Sequence, residues 1–185
     1  MPTGTYELAD GVVERFSCAP GPSGWRYVGS STAGGVDVTL DGGGRQVRVS
    51  LSAPVERELR GGVAGPETVW VRDGVERSAP AAGFAGASPA FLVAAVRLLR
   101  LRPGSRARLR LVSVVGPALA TRVVEQGWEL VSVTSHRTET GPLPVGSYRV
   151  ADLETGETGQ VHVAGDVVLA APGVELTGLE SPPNV

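Results

Sequence analysis

The sequence predicts a mainly β chain: an antiparallel β-barrel or strongly curved half-barrel, with one helix packed against it or closing it. Three observations carry that expectation. Apolar residues recur with a period of two along most of the chain, the side-chain alternation of half-buried strands. Glycine and aspartate interrupt these runs wherever a tight turn needs positive φ or a side-chain hydrogen bond. One segment, Ser88 to Arg102, carries the helical period instead.

In chain order, the alternating runs are Val12 to Cys18, Trp25 to Gly29, Val36 to Leu40, Arg45 to Ala53 and Thr68 to Arg72. After the helical segment come Arg106 to Val115, Leu119 to Glu125, Trp128 to Ser135, Tyr148 to Leu153, Gln160 to Ala164 and Val167 to Ala171. The turns Asp41-Gly42-Gly43-Gly44, Asp73-Gly74, Glu154-Thr155-Gly156-Glu157 and Gly165-Asp166 connect short strands into an antiparallel meander. The glycine- and proline-rich stretch Pro80 to Gly86 delivers the chain to the helix. There Ser88 can cap the first free amides, Pro89 suits the first helical position, and Arg97, Arg100 and Arg102 complement the carboxyl end before Pro103-Gly104 stops it. A buried strand over Ala90 to Leu101 is the alternative, which the length of the segment disfavours. Residues 1–180 read as a single β-barrel-like domain and 181–185 as a flexible tail.

At 185 residues, with a net charge of −2 and 42% hydrophobic residues, the chain suffices for one packed core. Its charge balance gives no reason to expect nucleic acid. It has no apolar run long enough for a membrane span, and no secretory leader is read in the first thirty residues, so the cytoplasm is the expected compartment. Every basic residue is an arginine, and isoleucine is absent, the signature of a GC-rich genome. The missing lysine removes Schiff-base chemistry and a Walker-type phosphate loop. Cys18 reads as a small buried hydrophobe.

Metal chemistry needs clustered ligands, and His136 and His162 stand apart with no CxxC, HxH or HExxH; no metal and no other cofactor is expected. Ser88 is followed by a proline, which removes an amide that an oxyanion hole would need, so it reads as a helix cap. His136 lies in a polar run and reads as a solvated strand end. His162 shares a strand face with Gln160 and Ala164, opposite Val161 and Val163; it is exposed if the valines face the core and a candidate general base if its own face lines a cavity. The ladder Arg106, Arg108, Arg110 reads as a solvated face with glutamate partners across the sheet, the alternative being an anion-binding rim. The aromatic residues Trp70, Phe84, Phe91, Trp128 and Tyr148 are the candidate ligand-binding set, although a solid core would use the same residues.

The order of elements resembles the glycolipid-binding family, small bacterial proteins built as a split or half-open β-barrel related in shape to periplasmic lipoprotein carriers. The resemblance runs through Gly24-Trp25 with Gly29, Trp70 to Gly74, Ser88-Pro89 leading to Arg97 through Gly104, and Leu109 to Val115 with Pro117 and Leu119. It continues through Gln126, Tyr148-Arg149-Val150 and Val167 to Gly173. The family's polar signature around Thr-Pro and a following Asn is reproduced only as Ser88-Pro89. The resemblance implies binding of an amphipathic ligand in an apolar groove, with no established chemistry.

Three functions follow as expectations. The first is binding of a hydrophobic or amphipathic small molecule, lipid-like or polyketide-like, in an apolar cavity. The second is a small cofactor-free cavity enzyme, of the cyclase or isomerase type in natural-product assembly, with His162, Tyr148, Arg149 and Glu125 as candidate catalytic residues. The third is a structural or interaction module that pairs through an exposed sheet edge, with a homodimer as one outcome.

Overall fold

The computed structural model describes residues 1–21, 24–54, 56–139 and 141–184. In chain order the strands are β1 (Thr3–Leu8), β2 (Val13–Gly21), β3 (Gly24–Ser31), β4 (Gly34–Asp41), β5 (Gln46–Ala53), β6 (Arg57–Ala64), β7 (Glu67–Arg72), β8 (Val75–Ala79) and the two-residue β9 (Phe84–Ala85). Helix α1 (Pro89–Leu99) follows, then β10 (Arg106–Val115), β11 (Ala120–Thr138), β12 (Gly141–Asp152), β13 (Thr158–Ala164), β14 (Val167–Ala171) and β15 (Val174–Leu179). Among the described residues the fifteen strands form one sheet in the order β8-β7-β6-β5-β4-β3-β2-β1-β15-β14-β13-β12-β11-β10-β9. The first and last strands pair antiparallel in its interior, Glu7 opposite Glu175, and the chain meanders outward from that seam in two wings. The only parallel pairing among the described residues is β9 with β10.

The sheet curves into a half-barrel, and its two ends are joined by side chains rather than by a ladder. Segment 80–85 is held to one wing through Ala82 N–H to Arg110 O and Val112 N–H to Gly83 O, both 2.8 Å. Towards the other wing, buried Gln46 mimics a strand neighbour. Its Oε1 accepts the Phe84 N–H at 2.8 Å and its Nε2 donates to Phe84 O at 3.0 Å. Thr68 adds a hydroxyl bond to Ala81 O at 2.9 Å. Buried polar groups must be paired, and here the pairs close the gap between the wings.

The concave face carries the core. Alternation places Trp25 and Tyr27 of β3, Val36, Val38 and Leu40 of β4, and Val161 and Val163 of β13 on the inner side. Tyr6, Phe16 and Tyr27 stack in sequence at 4.7 and 5.6 Å, and Trp70 meets Phe84 edge-on at 6.2 Å. Helix α1 lies in the concavity against β4, β9 and β14. Its small residues Ala90 and Ala94 are fully buried, which lets the helix backbone come close to the sheet. Ser88 is its N-cap, in extended conformation, with Oγ accepting from the Ala90 N–H at 3.4 Å.

Several local expectations are corrected. The helix ends at Leu99 rather than Arg102, because Arg100 adopts a left-handed conformation (φ 46°) and returns its N–H to Val96 O at 3.1 Å. The expected strands Leu119 to Glu125 and Trp128 to Ser135 merge into one long strand that starts at Ala120, Leu119 lying in the preceding turn with φ 48°, since Gln126 and Gly127 keep register with β12. β1, β6, β8, β9 and β15 lie outside the runs expected as strands, although β1 and β15 alternate in burial as strands do. The tail expected to be flexible is tied back: Asn184 donates its backbone N–H to Asp166 Oδ1 at 2.9 Å and its Nδ2 to Oδ2 at 2.7 Å. A fully buried carboxylate needs such donors, and the chain end supplies them; Val185 lies outside the described residues. Among the described residues no helix is long and apolar enough to cross a membrane.

Candidate functional site

At the C-terminal end of α1 the half-barrel leaves a cleft of about 580 Å³. The β4–β5 turn forms one wall through Asp41, Gly42 and Gly44; Val96, Arg97 and Arg100 of the helix end form another; Tyr148 of β12 and Gly24 of β3 complete it. The helix sits this close to the turn because Gly44 has no side chain. Gly44 has φ 86°, and a Cβ there would lie 2.5 Å from Arg97 O and 2.7 Å from Leu98 N. Gly44→Ala is therefore expected to cost about 1–3 kcal/mol of stability, from left-handed strain and displacement of the helix end, measurable by urea unfolding. A cost of only a few tenths would mean that α1 is not seated against this turn.

Arg97 is the central polar group of the cleft. Its guanidinium carbon stands 5.3 Å from the centre of the Trp25 ring, a cation–π distance, and its buried Nε has no hydrogen-bond partner. Burial pushes the Arg97 pKa down, while the Asp166 carboxylate opposes that shift. Asp166 is itself occupied by Asn184, and by the Trp25 indole N–H at 3.4 Å. Arg100 donates from Nε to Arg97 O at 3.3 Å and from Nη2 to Gly42 O, fastening the turn to the helix. Asp41 Oδ1 accepts the Gly43 and Arg45 N–H groups, both at 2.9 Å, so this carboxylate folds its own turn.

A second ionisable centre lies at the other end of the helix. Glu14 of β2 is buried, and its Oε1 accepts the Tyr27 hydroxyl at 2.5 Å and the Ser88 hydroxyl at 2.9 Å. Burial raises the Glu14 pKa from its ordinary 4.5, and these two hydrogen bonds hold it back. The Tyr27 pKa is raised as well, by burial first and by the neighbouring carboxylate second. No sequence motif marks this cluster: its members lie on two strands and a helix cap, and Gly29 supplies the space, since a Cβ there would sit 2.7 Å from Glu14 Oε1.

The structure separates the residues that sequence reasoning had grouped. Of the aromatic set, Tyr148 borders the cleft, and burial raises its pKa. Trp70, Phe84, Phe91 and Trp128 are at most 5% exposed and pack within the core. Of the candidate catalytic residues, Tyr148 faces inward, whereas His162 lies on the opposite face of the sheet, since the valines beside it are the buried ones. His162 Nδ1 is 3.1 Å from Ser147 Oγ. Arg149 also faces outward and pairs with Glu129 at 3.0 Å, and Glu125 is exposed opposite Arg110. These four side chains do not converge. Glu129 also takes Arg106 at 3.0 Å, so part of the arginine ladder is an ion-paired outer face. Cys18 is buried, with Sγ 3.7 Å from Asp166 O, and burial raises its pKa. No group of three or more His, Cys, Asp and Glu suited to a metal ion occurs among the described residues.

Fold and site together define a curved antiparallel half-barrel, filled by its own helix, with a basic cleft at one end. No family model matches the chain, and no curated protein matches it. Its architecture is similar to that of a DUF1089 family protein from Pseudomonas aeruginosa, with a TM-score of 0.60 and 19% sequence identity over 94% of this chain and 91% of that one. At that identity the likeness shows the fold.

Proposed function

We propose that the protein binds a hydrophobic or amphipathic small molecule, lipid-like or polyketide-like, with the cleft at the C-terminal end of α1 as its site. The observation that carries this reading is the cleft itself. At about 580 Å³ it falls within the range of small-molecule sites, and it sets Val96 and the Tyr148 ring beside two guanidinium groups. An apolar surface next to localised charge is the complement of an amphiphile. The site differs from the apolar cavity expected from sequence, because α1 and the large aromatic residues occupy the interior of the half-barrel. A cofactor-free enzyme has less support, since its candidate acid and base groups lie on opposite faces of the sheet.

Each methylene of a bound chain transfers about 0.8 kcal/mol of hydrophobic free energy when fully buried, and less in an open cleft. Affinity for straight-chain alcohols is therefore expected to climb with chain length and then level off once the cleft is full. Tryptophan fluorescence reads this, because Trp25 lies beneath Arg97; a Trp25→Phe variant identifies the reporting ring. If no chain length perturbs the fluorescence or competes for binding, the reading fails.

A second reading, an interaction module, is favoured by the distal part of the β11–β12 hairpin. Pairing with β10 ends at Glu129 and pairing with β13 ends at Gly146, so residues 131–137 and 142–145 form a ribbon that projects beyond the sheet. Val131 and Val133 are exposed on it, and Pro142 and Pro144 guard the β12 edge while the β11 edge has no proline. A concentration-dependent dimer in sedimentation, abolished by Val133→Pro, would support this reading over the first.

A further inference from the structure

We propose that the cleft at the C-terminal end of α1 is selective for anionic head groups, with Arg97 and Arg100 receiving the phosphate, sulfate or carboxylate of an amphipathic molecule. This deepens the reading of the cleft as an amphiphile site and rests on it. Arg97 sits in the last turn of α1 and Arg100 is its left-handed C-cap, and both side chains border the cleft. Among the described residues Arg26 pairs with Asp37, Arg57 and Arg72 with Asp73, Arg60 with Glu58, and Arg106 and Arg149 with Glu129, while other arginines such as Arg108 and Arg110 stand unpaired on the open outer face of the sheet. Among the described residues neither Arg97 nor Arg100 forms such an ion pair, although both line a concave surface where water is partly excluded.

The carboxylates nearby do not neutralise them. Asp166 is fully buried behind Trp25 and engaged by Asn184, and Asp41 spends Oδ1 on the amides of its own turn. A guanidinium has five N–H donors in a fixed fork, which suits two oxygens of one anion. Arg100 uses two of its groups on backbone carbonyls, and Arg97 leaves its Nε unpartnered against the Trp25 ring. The Trp25 ring and the charge of Asp166 return part of the solvation that half-buried Arg97 loses, but neither forms an ion pair with it; a bound anion in the cleft would add a charged acceptor for the guanidinium. Support of the helix dipole accounts for cations at this end of α1, but not for their placement on a cleft with an apolar wall.

The test compares decyl phosphate, decyl sulfate and decanoate with decanol and with inorganic phosphate, each titrated calorimetrically against the wild-type protein and against Arg97→Gln and Arg100→Gln. Charge-assisted hydrogen bonds should make the decyl anions bind at least about tenfold more tightly than decanol, and either substitution should remove most of that advantage, read as the ratio of decyl-anion to decanol affinity within each variant. Added salt should weaken the anions and spare the alcohol. Arg100→Gln, at an exposed position, keeps the test valid should Arg97→Gln fail to fold. If decanol binds as well as the anions, the head-group inference falls while the amphiphile reading stands. If inorganic phosphate binds as well as decyl phosphate, the anion site stands and the amphiphile reading falls. If none of the probes binds, both are overturned.

Discussion

Trp128→Ala is expected to lower the free energy of unfolding by about 3–5 kcal/mol, the cost typical of emptying a large aromatic site in a core. Trp128 is only 2% exposed, meets the Tyr148 ring edge-on at 6.1 Å, and donates its indole N–H to Gln126 Oε1 at 3.1 Å. Truncation therefore removes both apolar contact and a paired donor. Tyr148 borders the cleft, so the substitution also loosens one of its walls, and ligand affinity should fall through Tyr148 rather than through any direct contact with Trp128. Chemical unfolding followed by circular dichroism gives the first effect, and titration of the folded variant below its unfolding transition gives the second. A loss of stability under about 1 kcal/mol would mean that Trp128 lies in a site able to collapse, contrary to the packing described.

Glu14 separates two physical effects that usually come together. Glu14→Leu strips the acceptor from the buried hydroxyls of Tyr27 and Ser88, and each unsatisfied group costs about 1–3 kcal/mol, with the α1 cap disturbed in addition. Glu14→Gln keeps an oxygen in place for both hydroxyls and removes only the ionisation. Because burial raises the folded-state pKa above 4.5, the folded protein resists losing the Glu14 proton more than the unfolded chain does. Below about pH 4.5 this group contributes no difference in proton binding; as pH rises, the unfolded state releases its proton first and the wild type loses stability relative to Glu14→Gln until the folded pKa is passed. The stability gap in favour of Glu14→Gln should therefore widen in urea titrations as pH rises above about 4.5. A gap that is flat across this range would show that Glu14 ionises as readily in the folded protein as in the unfolded chain.

Both residues also show how unevenly the structure could be read from the chain. Trp128 stands in an alternating run whose burial follows from period two, whereas Glu14 occupies an inner position of a strand that sequence reasoning would fill with an apolar residue. Its partners lie 13 and 74 positions away. A buried carboxylate of this kind leaves no local signal, because what makes it tolerable is the arrival of two hydroxyls from other elements. Arg97 is a similar case. From sequence it complements a helix terminus, and only the approach of Gly44 and Trp25 makes it the centre of a cleft.

By itself the sequence determined the class of structure: strands with polar outer faces and apolar inner faces, turns at Asp-Gly and poly-glycine positions, and one helix started by Ser88-Pro89. These depend on periods and backbone preferences that act over a few residues. Tertiary structure decided what depends on separation along the chain. It paired β1 with β15, gave weakly patterned strands such as β8 their place through their neighbours, and let Gln46 close the gap between the wings. It also decided which aromatic residues fill space and which border it. Trp70, Phe84, Phe91, Trp128 and Tyr148 are chemically alike in a sequence, and their roles diverge only because a single helix enters the concavity and leaves one end uncovered.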